Sequence, residues 1–333
     1  MEIFGMHVEA GKKMYKNVKI GELANFSDFS IPVLVACGAH EGPTLWMTGA
    51  VHGDELNGPW ALRQFFWDLN PQQLYGNIVI TPLLNVLAFA DKNKISHIDN
   101  LDLDQQFPGN PNGSYTQRIA YVVFNEMKKW ANFVIDFHTM GHVFSSTPYT
   151  VSKDVPGVDS IVTDKAFKLA RIFGVYPNCH LNLATAGGEL PGTTSGSIDI
   201  TCLHHNIPCF MAEMGAGGRW DEQAIQVIRD GIDNVLKYTG MIKEEYKKPG
   251  KQMIITDRYF LRCNHGGFVR MAVAPGQLVQ KDEKLASIYD FWDERETMTA
   301  KKKLFVIAVR HEPVVTTGDR MGFVGCEWHE VEW

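Results

Sequence analysis

The chain has 333 residues, of which 45% are hydrophobic and 21% charged, as in a globular protein and unlike a disordered one. That length accommodates one large catalytic core with a small appended domain, or two ordinary domains. A formal net charge of −6 excludes the basic surface of a nucleic-acid-binding protein. The first residues lack a signal-peptide core, no apolar run is long enough for a membrane helix, and the six cysteines form no C-x-x-C pair. We therefore expect reduced thiols, a cytoplasmic location and no membrane partner.

Four apolar, strand-like runs each end in a loop that carries polar residues. They are Thr44–Ala50 before His52, Asn77–Leu84 before Asn85, Asn132–Phe137 before His138, and Pro208–Ala212 before Glu213. Helical patterns accompany them at 57–69, 115–130, 163–173 and 222–238. Such alternation predicts a layered α/β fold with a mostly parallel sheet. Ligands bind at the carboxyl ends of the strands in such sheets, so we expect these polar residues to meet there.

The pattern changes near residue 248, beyond which glycine-punctuated apolar runs replace helical periodicity. These runs predict a small all-β, barrel-like domain over residues 248–333, after a catalytic domain over residues 1–247. We expect the β domain either to shape the pocket entrance or to serve homo-oligomerisation.

A metal site is the strongest functional hypothesis from the residues alone. His52 and Glu55 stand in an H-x-x-E arrangement where a loop enters a helix, and His138 ends another strand. Zinc prefers imidazole and carboxylate ligands, and catalytic sites supply three of them; cobalt or nickel would accept the same set. Asp136 or Asp54 could orient the imidazoles, and Glu213 could act as general base. Each residue alone has a common structural explanation, so the hypothesis depends on their combination.

Four stretches, taken in order, resemble the succinylglutamate desuccinylase/aspartoacylase family, which has a zinc carboxypeptidase-like fold. They read GAVHGDELNGPWAL, LLNVLAFADKNKISHIDNLDLDQQFPGNPNGSYTQRIA, VIDFHTMGH and IPCFMAEMGAGG. The resemblance implies a mixed sheet flanked by helices, a C-terminal β barrel and a deacylase activity. It also implies zinc ligation by His52, Glu55 and His138, with Glu213 as general base.

One stretch departs from the family pattern D-L-N-R-x-F-P-G. Asp104 stands where Asn is usual, Gln105 where Arg is usual, and His97 aligns with an upstream Arg. Gln cannot replace a bidentate cation, so we expect weak binding of acidic amino acids. Lys92, Lys94, His97 or Arg219 could then assist the metal in stabilising the oxyanion. The predicted substrate-binding residues are Asn85, His97, Asp104, Gln105 and Arg219.

We therefore expect a zinc-dependent hydrolase that cleaves the amide of an N-acylated amino acid or related amine. Its substrate would be a small neutral or basic molecule, attacked by metal-bound water with Glu213 as base. Two alternatives stay open: a metallocarboxypeptidase acting on small peptides, and a metal-binding protein with reduced catalysis. The retention of Glu213 argues against the second alternative, because a pure binding site needs no base.

Overall fold

The computed structural model describes residues 1–186, 193 and 195–333. Its helices are α1 (Asn57–Asp68), α2 (Val86–Ala90), α3 (Tyr115–Trp130), α4 (Ser160–Ile172), α5 (Ile198–His204) and α6 (Glu222–Tyr238), with short 3-10 turns at Pro71–Gln73 and Leu103–Gln105. The strands in the first half are β1 (Glu2–Ile3), β2 (Met6–His7), β3 (Lys12–Glu22), β4 (Asp28–Cys37), β5 (His40–Gly49), β6 (Tyr75–Thr81), β7 (Phe133–His138), β8 (Phe144–Ser146) and β9 (Tyr149–Asp154). The remaining strands are β10 (Asn178–Asn182), β11 (Cys209–Glu213), β12 (Gln252–Arg262), β13 (Gly267–Met271), β14 (Leu278–Val279), β15 (Lys284–Tyr289), β16 (Glu294–Thr299), β17 (Leu304–Arg310), β18 (Val314–Val315) and β19 (Arg320–Val331).

A single large mixed sheet organises the described part of the chain. Its order is β14-β17-β19-β12-β10-β9-β11-β7-β5-β6-β4-β3, with β8 paired to β17. At its centre β6, β5, β7 and β11 run parallel to one another, whereas β9 is antiparallel to β11. The parallel expectation therefore holds for the centre, and antiparallel strands extend the sheet on both sides.

The central strands are buried on both faces, because helices cover each side of the sheet. Along β5, Leu45 and Met47 pack with α1, α4 and α6, whereas Trp46 packs with α3 and α5 on the opposite face. This follows from the two-residue alternation of side chains in a strand. The carboxyl ends of these strands are thereby fixed within a rigid scaffold.

The C-terminal region is all β in the structure, as its sequence predicts. Its strands β12, β14, β17 and β19 continue the large sheet, and β13, β15, β16 and β18 form a separate four-stranded sheet. Strand β12 pairs in parallel with β10, which attaches this region directly to the central layer. Closure into a barrel and the domain boundary after residue 247 stay predictions.

None of the helices within the described ranges combines the length and the apolar character that a membrane crossing requires.

Candidate active site

Parallel pairing brings the predicted ligands to one edge of the sheet. Strand β7 lies between β5 and β11, so the carboxyl ends of all three strands point the same way. In the register, His138 lies opposite Glu213, and Phe137 lies opposite Gly49. The loop after β5, which carries His52 and Glu55, therefore begins beside His138.

A close backbone contact holds this loop in place. A Cβ atom on Gly53 would lie 2.1 Å from the carbonyl carbon of Ala88 in α2, so only glycine fits there. The side chain of Asn85 accepts a hydrogen bond from the backbone N–H of Ala88 at 3.3 Å and thereby caps α2. Asn85 thus stabilises α2, the helix against which the loop of His52 and Glu55 packs.

Two imidazoles converge on one carboxylate at the end of these strands. His52 Nδ1 lies 2.9 Å from Glu55 Oε1, and His138 Nδ1 lies 3.1 Å from Glu55 Oε2. All three side chains are buried, and their ligand atoms lie within 4.8 Å of one another. Glu55 Oε2 is nevertheless a buried oxygen without a hydrogen bond. A divalent cation held by the two Nδ1 atoms and Glu55 would satisfy that oxygen, so these residues fit zinc.

The far nitrogen of each imidazole is fixed by its own carboxylate. Asp136 Oδ2 lies 2.9 Å from His138 Nε2, and Asp102 Oδ1 lies 3.1 Å from His52 Nε2. Thr48 in turn donates a 2.5 Å hydrogen bond to Asp136. Such carboxylate partners orient a ligating ring and raise its basicity. The sequence interpretation named Asp136 for this role but missed Asp102, which is fifty residues from His52 in the chain.

The ionisable side chains of the metal cluster shift one another's pKa values. Burial lowers the pKa of His52, but Glu55 and Asp102 outweigh that effect and raise it to about 10. Burial likewise lowers the pKa of His138, and Asp136 and Glu55 raise it well above its ordinary value. Burial raises the pKa of Glu55, but the two imidazoles lower it to about 2. The cluster thus combines an ionised carboxylate with basic imidazoles.

Glu213 lies beside the cluster with an uncommitted carboxylate oxygen. The side chain is 4% exposed, and its Oε2 has no hydrogen-bond partner. Burial raises its pKa from 4.5 to about 7, against the opposing charge of His138. A carboxylate with a pKa near neutrality can both accept and return a proton.

A cavity of about 420 Å³ opens onto these residues. Its lining includes the apolar side chains of Met140, Val143 and Phe144 and the polar side chains of Asp102, Asp104 and Gln105. The C-terminal region contributes Phe260 and Arg320, with the Arg320 guanidinium carbon 4.2 Å from the centre of the Phe260 ring. Those two residues were not among the sequence candidates, since no local pattern marks them. Another cavity, of about 520 Å³ near α6, contains none of the predicted site residues.

The other residues that the sequence analysis proposed for substrate binding or oxyanion stabilisation lie in this cavity, on the surface or, for Asn85, at the buried start of α2. Asp104, Gln105 and Lys94 line the cavity, and Lys94 Nζ lies 2.8 Å from Asp102 Oδ2. Burial raises the pKa of Asp104 to about 7, against the opposing imidazoles of His138 and His52.

Four other candidates lie elsewhere among the described residues. His97 is exposed and lies 2.5 Å from Asp91, and Arg219 is exposed and donates to Ser145. Lys92 is also exposed. Asn85 is buried, and its side chain caps the start of α2. Direct substrate contact by these four residues stays a prediction.

His142 and Asp54 also line the cavity, as a pair distinct from the metal cluster. Asp54 Oδ2 lies 2.9 Å from His142 Nδ1 and also accepts the backbone N–H of His142 at 3.1 Å. Asp54 is therefore committed to His142 rather than to either metal-binding imidazole.

Known proteins resemble this chain in sequence over most of its length. The profile of the family described as "Succinylglutamate desuccinylase/Aspartoacylase catalytic domain" matches residues 41–239. The chain is 28% identical over 265 residues to an N-alpha-acetyl-L-2,4-diaminobutyric acid deacetylase from Halomonas elongata, covering 78% of this chain and 74% of that protein.

Two solved structures share the fold. A succinylglutamate desuccinylase from a Silicibacter species is 24% identical with a TM-score of 0.83, covering 94% of both chains. The product-bound ectoine utilization protein EutE (DoeB) from Ruegeria pomeroyi is 23% identical with a TM-score of 0.85, covering 97% of both chains. The family profile matches more than half of the 333 residues of this chain, so the chain belongs to the succinylglutamate desuccinylase/aspartoacylase family. The family predicted from the sequence is confirmed.

Proposed function

We propose that this family member is a zinc-dependent deacylase that hydrolyses the amide of a small N-acylated amino acid, with Glu213 as general base. The observation that carries the proposal is the convergence of His52 Nδ1 and His138 Nδ1 on Glu55, one strand away from the uncommitted carboxylate of Glu213. When bound there, zinc would supply a Lewis acid that polarises the acyl carbonyl and lowers the pKa of water.

The protein's own residues supply the proton transfers. Glu213 would accept a proton from the attacking water at its carboxylate and deliver it to the nitrogen of the leaving amine. One acid–base group suffices for cleavage of the amide, because the first proton of water reaches the amine nitrogen. The second proton is released when the new carboxylic acid ionises to the carboxylate product. Burial supports this role, since it holds the carboxyl near the point where both protonation states are accessible.

Positive charge in the pocket would help to bind the acyl oxygen or a substrate carboxylate. Among the described residues, the lysine and arginine side chains that line the cavity are Lys94 and Arg320. Lys94 is held by Asp102, and Arg320 lies against Phe260. We assign substrate positioning to these two residues in place of the cation that Gln105 cannot supply.

The proposed substrate class is based on the carboxylates that line the cavity and on the relative in Halomonas elongata, whose name specifies an acetylated diamino acid. We propose a neutral or basic N-acylated amino acid, and N-acetyl-2,4-diaminobutyrate is the first compound to test. The expected products are the carboxylate of the acyl group and the free amino acid.

The test combines metal analysis with a hydrolysis assay on a panel of N-acylated amino acids. His138→Ala should abolish stoichiometric zinc and turnover together. His142→Ala is the matched control, because His142 lines the same cavity but is bonded to Asp54. Folded, zinc-loaded protein that hydrolyses no member of the panel would overturn the proposal, as would a His138→Ala variant that keeps its metal.

A further inference from the structure

Asp104 carries a buried carboxylate without a partner in the wall of the cavity. The side chain is 9% exposed, and its Oδ1 forms no hydrogen bond. Its backbone N–H donates to Asp102 Oδ1 at 3.1 Å, which fixes the short turn that presents the side chain. A buried carboxylate is costly unless it is compensated, so this position calls for a positively charged or donating group.

Each of the other carboxylates that line the cavity has an ion pair or an assigned chemical role, although one oxygen each of Asp54, Glu55 and Glu213 also lacks a hydrogen bond. Asp54 binds the His142 ring at 2.9 Å, and Asp102 binds Lys94 at 2.8 Å. Glu55 belongs to the metal cluster, and the proposed base needs its own carboxylate for proton transfer. Among the carboxylates that line the cavity, Asp104 is therefore the one with neither an ion pair nor a role in metal binding or proton transfer.

Among the described residues, Asp104 forms no ion pair with a lysine or arginine, and the nearby Lys94 is paired with Asp102 at 2.8 Å. The buried Lys153 forms an ion pair with Asp199 in α5. Asp136 adds a further carboxylate, since the ligand atoms of Asp104, Asp136 and His138 lie within 4.8 Å of one another. A positively charged substrate group would therefore meet two neighbouring carboxylates, of which Asp136 is already paired with His138.

We infer that Asp104 is a specificity-determining residue that binds the ammonium group of an N-acylated diamino acid. This inference rests on the proposed deacylase function and narrows its substrate from neutral or basic to basic. A cavity of about 420 Å³ accommodates such a molecule beside the metal cluster.

A divalent cation is the competing occupant of this position, and the hydrogen bonds argue against it. His138 Nε2 already lies 2.9 Å from Asp136 Oδ2, which orients the ring for ligation through Nδ1. A metal between Asp104, Asp136 and His138 would break that contact and require the ring to bridge two ions. An ammonium group needs no such rearrangement, because it can donate directly to Asp104.

The experiment compares substrates that have the same shape and differ in charge. Side chains of N-acetyl-2,4-diaminobutyrate and N-acetylnorvaline are close in size, and only the first ends in an ammonium group. We expect the wild-type protein to prefer the cationic substrate in kcat/KM by about 10–100-fold, as one charge-assisted hydrogen bond supplies. Asp104→Asn should reduce that ratio to near one, mainly through KM for the cationic substrate. Asp164→Asn, an equal loss of charge on the exposed surface of α4, should leave the ratio unchanged.

Because the ratio is measured on one preparation, a variant that is partly unfolded or partly metal-free still reports it faithfully. A wild-type ratio near one, or an Asp104→Asn ratio equal to wild type, would overturn the inference while leaving the deacylase function intact. Two zinc ions per chain that fall to one in Asp104→Asn would also overturn it, in favour of the metal. Absence of hydrolysis of both substrates and of the whole panel would instead refute the proposed function.

Discussion

The role of Asp102 can be tested by removing its charge and keeping its shape. Asp102 Oδ1 lies 3.1 Å from His52 Nε2 and accepts the backbone N–H of Asp104 at 3.1 Å, and the Oδ1 atom of an asparagine can accept both hydrogen bonds. The local turn should therefore persist. What is lost is the negative charge that raises the basicity of the His52 ring and pairs with Lys94 at 2.8 Å.

Loss of such a partner typically weakens metal binding by about 10–100-fold, or about 1.4–2.8 kcal/mol. We expect the upper part of this range, because Lys94 would be left next to a zinc ligand without a neutralising carboxylate. The double variant Asp102→Asn, Lys94→Met should recover part of the lost affinity.

The measurement is the zinc dissociation constant, obtained by competition with a chromogenic chelator. Asp54→Asn is the control, because Asp54 is equally part of the cavity wall but bonds His142 instead of a zinc ligand. An Asp102→Asn affinity equal to wild type, or an equal loss in both variants, would refute the reasoning that the charge of Asp102 raises the basicity of His52.

Three further predictions concern protons. Glu213→Gln should lower kcat by about 10²–10⁴-fold while zinc content, measured by mass spectrometry, stays unchanged; a loss of zinc would assign Glu213 to the metal instead. Burial raises the pKa of Glu213 from 4.5 to about 7, and the positive charge of His138 opposes that rise because it favours the ionised carboxylate. Hence kcat/KM should rise with pH through a midpoint between 4.5 and about 7, and a pH profile without that limb would contradict the base assignment. Zinc needs neutral imidazoles, and the pKa of His52 is raised to about 10 and that of His138 well above its ordinary value. Zinc binding at about pH 7.5 should therefore release protons, including the proton of His52, and calorimetry in buffers of different ionisation enthalpy measures this release. A release near zero would contradict the raised pKa values.

Periodicity in the sequence determined the main elements. The helical patterns at 115–130 and 222–238 coincide with α3 and α6, and the pattern at 57–69 ends one residue beyond α1. The pattern at 163–173 corresponds to α4, which begins three residues earlier and ends one residue earlier. These patterns are informative because amphipathic spacing is a local property that packing then preserves.

The sequence also determined where the metal candidates would lie. His52, His138 and Glu213 each follow an apolar run, and the parallel pairing of β5, β7 and β11 brings those strand ends together. Their ligand and base roles remain predictions that the experiments above address.

Only the tertiary structure decided which other residues complete the pocket. Asp102 meets His52 across a long loop, and Arg320 arrives from β19, which joins the large sheet through β12 and β10. His97 and Arg219 instead lie exposed, although their chemistry suited the pocket equally well. The physical reason is that strand order and loop packing depend on contacts between residues far apart in the chain, whereas residue type and periodicity report only on the chain's own neighbourhood.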